Sequence, residues 1–353
     1  MNKLKLCVIF GGMSTEHDVS IVSATSIIES LNKEKYNIYP IYIDNKGNWY
    51  KYTKEIEDIK ILELNETLSE IELIKEPIET LKQMDVVFPV LHGLYGEDGT
   101  IQGLLELIKV PYVGCRVLAS AVSMDKGYTK IIFERAGLKQ VKYEYVKKIN
   151  NTYKYFDKEF NEETMELDKL CVKIANNLKF PMFVKPSNSG SSVGIEKAKS
   201  IDELKNAISF ASKFDKKIII EEQVVAREVE CAVLGGNSVR ASCIGEILPA
   251  EEFYSYEAKY TNSESKVIIP ADISSKIAEK IKTYAIKAFN AVDGSGLARV
   301  DFFIEKDTNE IYINEINTMP GFTKISMYPK LWEASGVSYS DLLDNLIDEA
   351  KNI

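Results

Sequence analysis

A short apolar run, Leu6-Cys7-Val8-Ile9-Phe10, closes on Gly11-Gly12, and that junction constrains the fold more than any other stretch. Consecutive apolar residues ending at paired glycines read as a strand buried on both faces, as inside a parallel sheet. Ile21, Ala24, Ile28 and Leu31 then recur at helical spacing, with Ser14 and Asp18 upstream as candidate caps. Tyr36–Ile43 is strand-like again, and Val86–Leu91 is a further apolar strand ending at His92-Gly93. Strand–loop–helix alternation of this kind implies an α/β class with a Rossmann-like parallel sheet at the N-terminal end.

A chain of 353 residues exceeds one small core and suggests two or three packed units. Leu118–Arg135 reads as a helix with Gly137 as its stop. Lys147–Asp168 is polar and weakly patterned, an exposed connection or a peripheral hairpin. Phe183-Val184-Lys185 is a strand halted at Pro186. Ile218–Glu221 and Val229–Leu234 are two more, the second turning at Gly235-Gly236-Asn237. A helix over Ser274–Ala291, a strand pair within Leu297–Asn317 and a helix over Tyr339–Ala350 complete the chain.

Composition removes several function classes. Lys and Arg number 44 against 53 Asp and Glu, a net charge of −9, with the basic residues scattered, so no nucleic-acid surface is expected. No apolar run approaches the roughly 20 residues of a membrane span, and Met1-Asn2-Lys3-Leu4-Lys5 shows no cleavable signal pattern, so a cytoplasmic location is expected. Five dispersed cysteines argue against a disulfide framework, and two histidines against a multi-histidine metal centre. A metal would need oxygen ligands.

The segments Gly296–Phe303 and Ile311–Asn317 offer such ligands. Alternate strand residues share a face, so Arg299 and Asp301 point one way and Glu315 and Asn317 point one way on the return strand. A turn centred near Thr308 sets Asp301 opposite Glu315 and Arg299 opposite Asn317. Facing carboxylates repel unless something positive lies between them, and this oxygen set suits Mg²⁺. A hairpin whose polar face is merely solvated has the same pattern. In Lys185-Pro186-Ser187-Asn188-Ser189-Gly190-Ser191-Ser192, a strand delivers a lysine to a Ser/Gly loop, chemistry suited to polyphosphate, although such loops are often only loops. The P-loop pattern is absent, as is G-x-G-x-x-G, which disfavours a nicotinamide dehydrogenase. Glu221, at the end of its strand, with Glu228 seven residues on, could serve a purine and its ribose, though acidic strand ends are commonplace.

Taken in order, VIFGGMSTEHDVS, LHGLYGEDGTIQG, SMDK, VKPSNSGSSVG, EEFYSYEAKY, RVDFF and NEINTMPGFTKISMYP resemble the D-alanine–D-alanine ligases of the ATP-grasp superfamily. The similarity covers most of the chain outside Lys147–Asn177. It implies an N-terminal α/β domain (1–120), a central ATP-grasp lobe (121–217) and a C-terminal lobe (218–353) carrying a mobile lid (251–267). It further implies ATP as a substrate, two Mg²⁺ or Mn²⁺ ions, D-alanine, a homodimer, and a role in peptidoglycan synthesis.

By the same resemblance, Lys126 and Lys185 meet ATP phosphates, Lys259 reaches the transferring phosphate, and the loop with Ser192 covers them. Glu221 and Val224 flank adenine and Glu228 holds ribose. Asp301, Glu315 and Asn317 hold the metal ions. Glu16 pairs with the first substrate's ammonium beside His92, and Glu16, Ser191 and Tyr260 form a triad closing the loop. Arg299 and the Gly321 N–H stabilise the oxyanion, and Ser326 binds the second substrate's carboxylate with Met327 beside it. Met327 and the pair Lys259-Tyr260 point to D-alanine as that second substrate rather than D-serine or D-lactate. From local chemistry alone His92 is equally a structural histidine, Glu16 equally a partner of the following helix N-terminus, and Lys126 equally an exposed lysine. A nucleotide-binding module without activity is the alternative of a different class, and the intact set Lys185, Arg299, Asp301, Glu315 and Asn317 argues against it.

Overall fold

The computed structural model of the chain describes residues 3–53, 71–190, 193–236, 238–248 and 266–352. It contains three sheets. The first runs β4-β3-β2-β1-β5, with β1 Leu4–Gly11, β2 Tyr36–Ile43, β3 Trp49–Tyr52, β4 Ile71–Leu73 and β5 Val86–Pro89. β1 pairs in parallel with both β2 and β5, which makes it the fully buried strand that its apolar run requires. β3 and β4 add an antiparallel edge.

The second sheet is antiparallel and runs β10-β9-β11-β6-β7-β8, from β6 Tyr143–Ile149, β7 Thr152–Phe156, β8 Glu162–Met165, β9 Met182–Pro186, β10 Glu196–Ala198 and β11 Lys217–Glu222. The polar stretch after Lys147 is the peripheral meander β6–β8 at one edge of this sheet. The third sheet, also antiparallel, runs β14-β13-β12-β15-β16, with β12 Ala226–Leu234, β13 Arg240–Leu248, β14 Lys266–Ile268, β15 Leu297–Glu305 and β16 Ile311–Asn317.

Hydrophobic patterning assigns each face. Val229, Cys231, Val233, Val300 and Phe302 pack beneath the helix Ser275–Ala291, whose start is capped by Ser274 accepting from Ile277 N–H. On the opposite face Ala232, Leu234 and Leu297 join a core shared with Leu6, Val8 and Phe10 of β1 and with Leu342, Leu343 and Leu346 of the last helix, Tyr339–Ala350. The C-terminal sheet and the N-terminal sheet therefore meet through one continuous apolar layer. Among the described residues no helix is long and apolar enough to cross a membrane.

Two local expectations need correction. The stretch 118–135 is two helices, Val117–Met124 and Lys126–Arg135, because Asp125 takes an extended conformation and its carboxylate accepts from Gly127 and Tyr128 N–H. An N-cap aspartate ends one helix and starts the next. The first long helix, His17–Ser30, has Glu16 at its N-cap position with no side-chain cap bond, and Asp18 lies inside its first turn. Ser14 instead accepts from Glu16 N–H and donates to His92 O at 2.6 Å.

Candidate active site

The face of the third sheet that is not covered by the Ser275–Ala291 helix carries a row of acids. Glu230 on β12 stands opposite Asp301 on β15, and Asp301 stands opposite Glu315 on β16. Directly paired residues share a face, so three carboxylates lie side by side. Arg299 holds the row together: Nε and Nη2 donate to Asp301 Oδ1 and Oδ2, both at 2.7 Å, and Nε lies 3.0 Å from Glu230 Oε2. Burial alone would lower the guanidinium's pKa, but Asp301, Glu230 and Glu315 hold it well above its ordinary value. Asn317, opposite Arg299, donates from Nδ2 to Asp301 Oδ2 at 3.0 Å. Glu230 was not singled out from sequence, although its place two residues after Glu228 sets both on one strand face.

The second sheet supplies cations. Ile218 and Ile220 face its hydrophobic core, which turns Glu221 to the other side together with Lys185. Glu221 is 3% exposed and lies 2.5 Å from both Lys130 Nζ and Lys185 Nζ. Burial would raise its pKa, yet the two ammonium groups hold it down to about 2. Lys126, one turn before Lys130, donates to Ser189 O at 2.8 Å and approaches Glu315 Oε2 at 3.7 Å. This contact joins the Ser/Gly loop to the acidic row of the third sheet. Beneath the loop, Asp125 accepts from Ser187 Oγ at 2.6 Å and pairs with Lys217, while Asn188 donates to Asp215 at 2.7 Å.

The N-terminal domain closes the third side. The Glu16 carboxylate is wedged between two glycines: a Cβ on Gly190 would lie 2.5 Å from its Oε2, and one on Gly93 2.6 Å. Glycine is required at both for this approach. His92 Nδ1 donates to Met319 O and Nε2 accepts from Ser23 Oγ, each at 3.0 Å. Desolvation lowers its pKa against the pull of Glu16, so the ring is neutral and both nitrogens are engaged within the protein. Glu97 accepts from Gly93 N–H and Met319 N–H, at 2.8 and 3.3 Å, and bridges the same two loops. Burial, with Glu16 adding to it, pushes its carboxyl up to about 8. Glu97 sits in the motif around His92 but was not marked as a site residue.

Beyond Met319, a Cβ on Gly321 would lie 2.9 Å from Ser326 Oγ, so these two neighbour each other. Ser326 Oγ accepts from Thr323 N–H at 3.0 Å. The Met327 thioether lies over Gly245, the residue paired with Glu230, and so caps the end of the acidic row while being buried in the core. Glu228 pairs with Ile247 and Phe303, and Val224 lies half-buried in the connection between β11 and β12. Ser191, Ser192, Lys259 and Tyr260, and the expected lid up to residue 265, fall outside the described residues.

Among the described residues no group of three or more His, Cys, Asp or Glu side chains is gathered as a metal centre. Asp301 and Glu315 with the amide oxygen of Asn317 nevertheless form a donor set that fits a hard divalent ion, and a lysine beside them suits a phosphate that would share it.

The sequence matches known families over most of its length. The family profile described as D-ala D-ala ligase N-terminus matches residues 5–115, and that described as D-ala D-ala ligase C-terminus matches residues 132–348. The chain belongs to the D-alanine–D-alanine ligase family. Members of this family include the D-alanine–D-alanine ligase of Clostridium acetobutylicum, 49% identical to this chain and covering 99% of it and 98% of the relative. That of Acetivibrio thermocellus is 48% identical, covering 99% and 96%. Among solved structures, the VanG D-Ala:D-Ser ligase from Enterococcus faecalis superposes with a TM-score of 0.85 at 37% identity, covering 99% of this chain and all of that one. As a family member the chain is an ATP-dependent ligase with the ATP-grasp fold.

Proposed function

We propose that this ligase joins two D-alanines into D-alanyl-D-alanine for peptidoglycan synthesis through a D-alanyl phosphate, releasing ADP and phosphate. The observation that carries this reading is the opposition of two sheet faces, one presenting Lys185 and Glu221 and the other Glu230, Asp301 and Glu315, joined where Lys126 meets Glu315 at 3.7 Å. Cations on one side suit phosphates, and carboxylates on the other suit the metal ions that accompany them.

In the first step, a carboxylate oxygen of the first D-alanine attacks the γ-phosphorus and the bond to ADP breaks. The amine of the second D-alanine then attacks the acyl carbon, a C–N bond forms, and phosphate leaves with the acyl oxygen while the amine loses its proton. Lys126 and Lys185 would hold phosphate oxygens, with Lys259 on the transferring group and Ser192 in the covering loop. Glu221 and Val224 would flank adenine, and Glu228 the ribose. Two Mg²⁺ or Mn²⁺ ions held by Asp301, Glu315 and Asn317 would spread the charge of the moving phosphoryl group.

The Glu16 carboxylate, which lies beside Gly93 and Gly190, would pair with the first substrate's ammonium next to His92, and Ser191 and Tyr260 would be its partners in closing the loop. Arg299 and the Gly321 N–H would stabilise the tetrahedral oxyanion, and Ser326 would take the second substrate's carboxylate. A Met327 side chain offers a methyl group an apolar contact and a serine hydroxyl none. The similarity to a D-Ala:D-Ser ligase structure makes D-serine the competing second substrate.

A division into three parts is supported by the three sheets, which span residues 4–89, 143–222 and 226–317, but β11 (Lys217–Glu222) belongs to the second sheet, so the second boundary lies between 222 and 226 and not at 217/218. A homodimer is supported by the exposed apolar side chains Leu107 and Leu118, on neighbouring helices.

Oxygen-18 in the carboxylate of D-alanine tests the acyl phosphate. One labelled oxygen passes into the released phosphate if the carboxylate is phosphorylated, and release of unlabelled phosphate would exclude that route.

A further inference from the structure

We infer that Lys130 is a positioning residue for nucleotide binding: by sharing Glu221 with Lys185, it leaves Lys185 with positive charge that Glu221 would otherwise cancel. The proposal rests on the reading that Lys185 meets ATP, and its test separates the two.

Lys130 and Lys185 approach opposite oxygens of one carboxylate, Oε1 and Oε2, each at 2.5 Å. With both lysines protonated, two cations and one anion leave a net charge of +1 at this point; burial pulls the Lys130 pKa down and the bond to Glu221 opposes that pull. The Lys130 side chain is 4% exposed, against 15% for Lys185 and 19% for Lys126. Lys130 is thus walled off from the cleft and acts through Glu221, while Lys185 borders the open side. The Lys130 ammonium also lies 5.0 Å from the centre of the Tyr143 ring, which helps fix the head group.

Burying a lysine to pair with a buried carboxylate is a poor way to gain stability, since well-packed apolar residues of similar size usually do as well or better. The triad is more readily explained by charge. With Lys130 gone, Glu221 pairs with Lys185 alone, the local charge falls from +1 to zero, and an arriving polyphosphate loses an attraction that is strong in a partly dehydrated cleft. Lys130 lies four residues after Lys126, on the same face of one helix, so a single helix positions the lysine at the Ser/Gly loop and the lysine that tunes Lys185.

The experiment compares Lys130→Met, Lys130→Arg and Lys185→Met in the full chain, measuring kcat and KM for ATP and for D-alanine. Lys130→Met is expected to raise KM for ATP about tenfold or more, with kcat at saturating ATP and KM for D-alanine within about threefold, and Lys130→Arg to restore KM for ATP to within about threefold. Unchanged KM for ATP in Lys130→Met overturns the inference, as does a loss confined to kcat that follows only the folded fraction. If Lys185→Met raises KM for ATP and Lys130→Met does not, the inference alone fails. If Lys185→Met has no effect on KM for ATP, the nucleotide reading of Lys185 fails first. Should Lys130→Met yield no soluble protein, Lys130→Gln takes its place, and a KM for ATP equal to wild type in that variant is equally fatal.

Discussion

Asp301 on β15 lies directly across from Glu315 on β16, and both oxygens of Asp301 are taken by the guanidinium of Arg299. One member of a repelling pair is thus neutralised by its own strand. The other, Glu315, meets Lys126 at 3.7 Å and keeps a side chain 28% exposed toward the cleft.

Glu315→Gln is therefore expected to abolish turnover and weaken metal-dependent ATP binding while leaving the fold intact, because a half-buried carboxylate is replaced by an isosteric amide. Circular dichroism and ATP titration with and without Mg²⁺ provide the readout. Full activity of the variant at ordinary Mg²⁺ contradicts the metal role.

Arg299→Ala should cost about 10²-fold or more in kcat, the scale for losing an oxyanion donor. Lysine should not rescue it, since it cannot serve Asp301 through two parallel N–H donors. The alanine variant also removes the guanidinium shared by Glu230 and Asp301, which stand directly opposite each other, so its stability should fall too. A change confined to KM for D-alanine would point to ground-state binding instead.

Glu97 sets a pH dependence of stability. Its carboxyl is raised from 4.5 to about 8 by burial and by Glu16, so the folded protein binds a proton there that the unfolded chain has lost. That contribution is fully present below the unfolded value of 4.5 and is lost as pH rises through about 8. Glu97→Gln removes the titration, so the urea midpoint of the variant relative to wild type should rise between about pH 5 and pH 8 and level off above that. A relative midpoint independent of pH contradicts the assignment.

Much of this was legible in the sequence, for identifiable reasons. The burial pattern of β15 and β16 is carried by Val300, Phe302 and Ile316, which fix the strand parity and so the apposition of Asp301 with Glu315. Ile21, Ala24 and Ile28 likewise mark the first helix. Asp125 was hidden because an aspartate inside a helical pattern costs little by propensity, whereas as a cap it breaks the helix. Lys130, Glu230 and Glu97 were not singled out because each depends on partners distant in sequence: Glu221 for the first, Arg299 for the second, Met319 for the third. Spacing alone offered only hints, with Lys130 one turn beyond Lys126 and Glu230 two residues beyond Glu228.

ATP-dependent ligation of two D-alanines is read out by kcat/KM for each second substrate with D-alanine fixed as the first. Phosphate release should accompany D-alanyl-D-alanine formation, with D-alanine preferred over D-serine by about 10–200-fold, the usual reach of a small apolar pocket, and with D-lactate and L-alanine behind it. A higher kcat/KM for D-serine or D-lactate would contradict the second-substrate assignment, and the absence of any D-alanine-dependent phosphate release would contradict D-alanine ligation altogether.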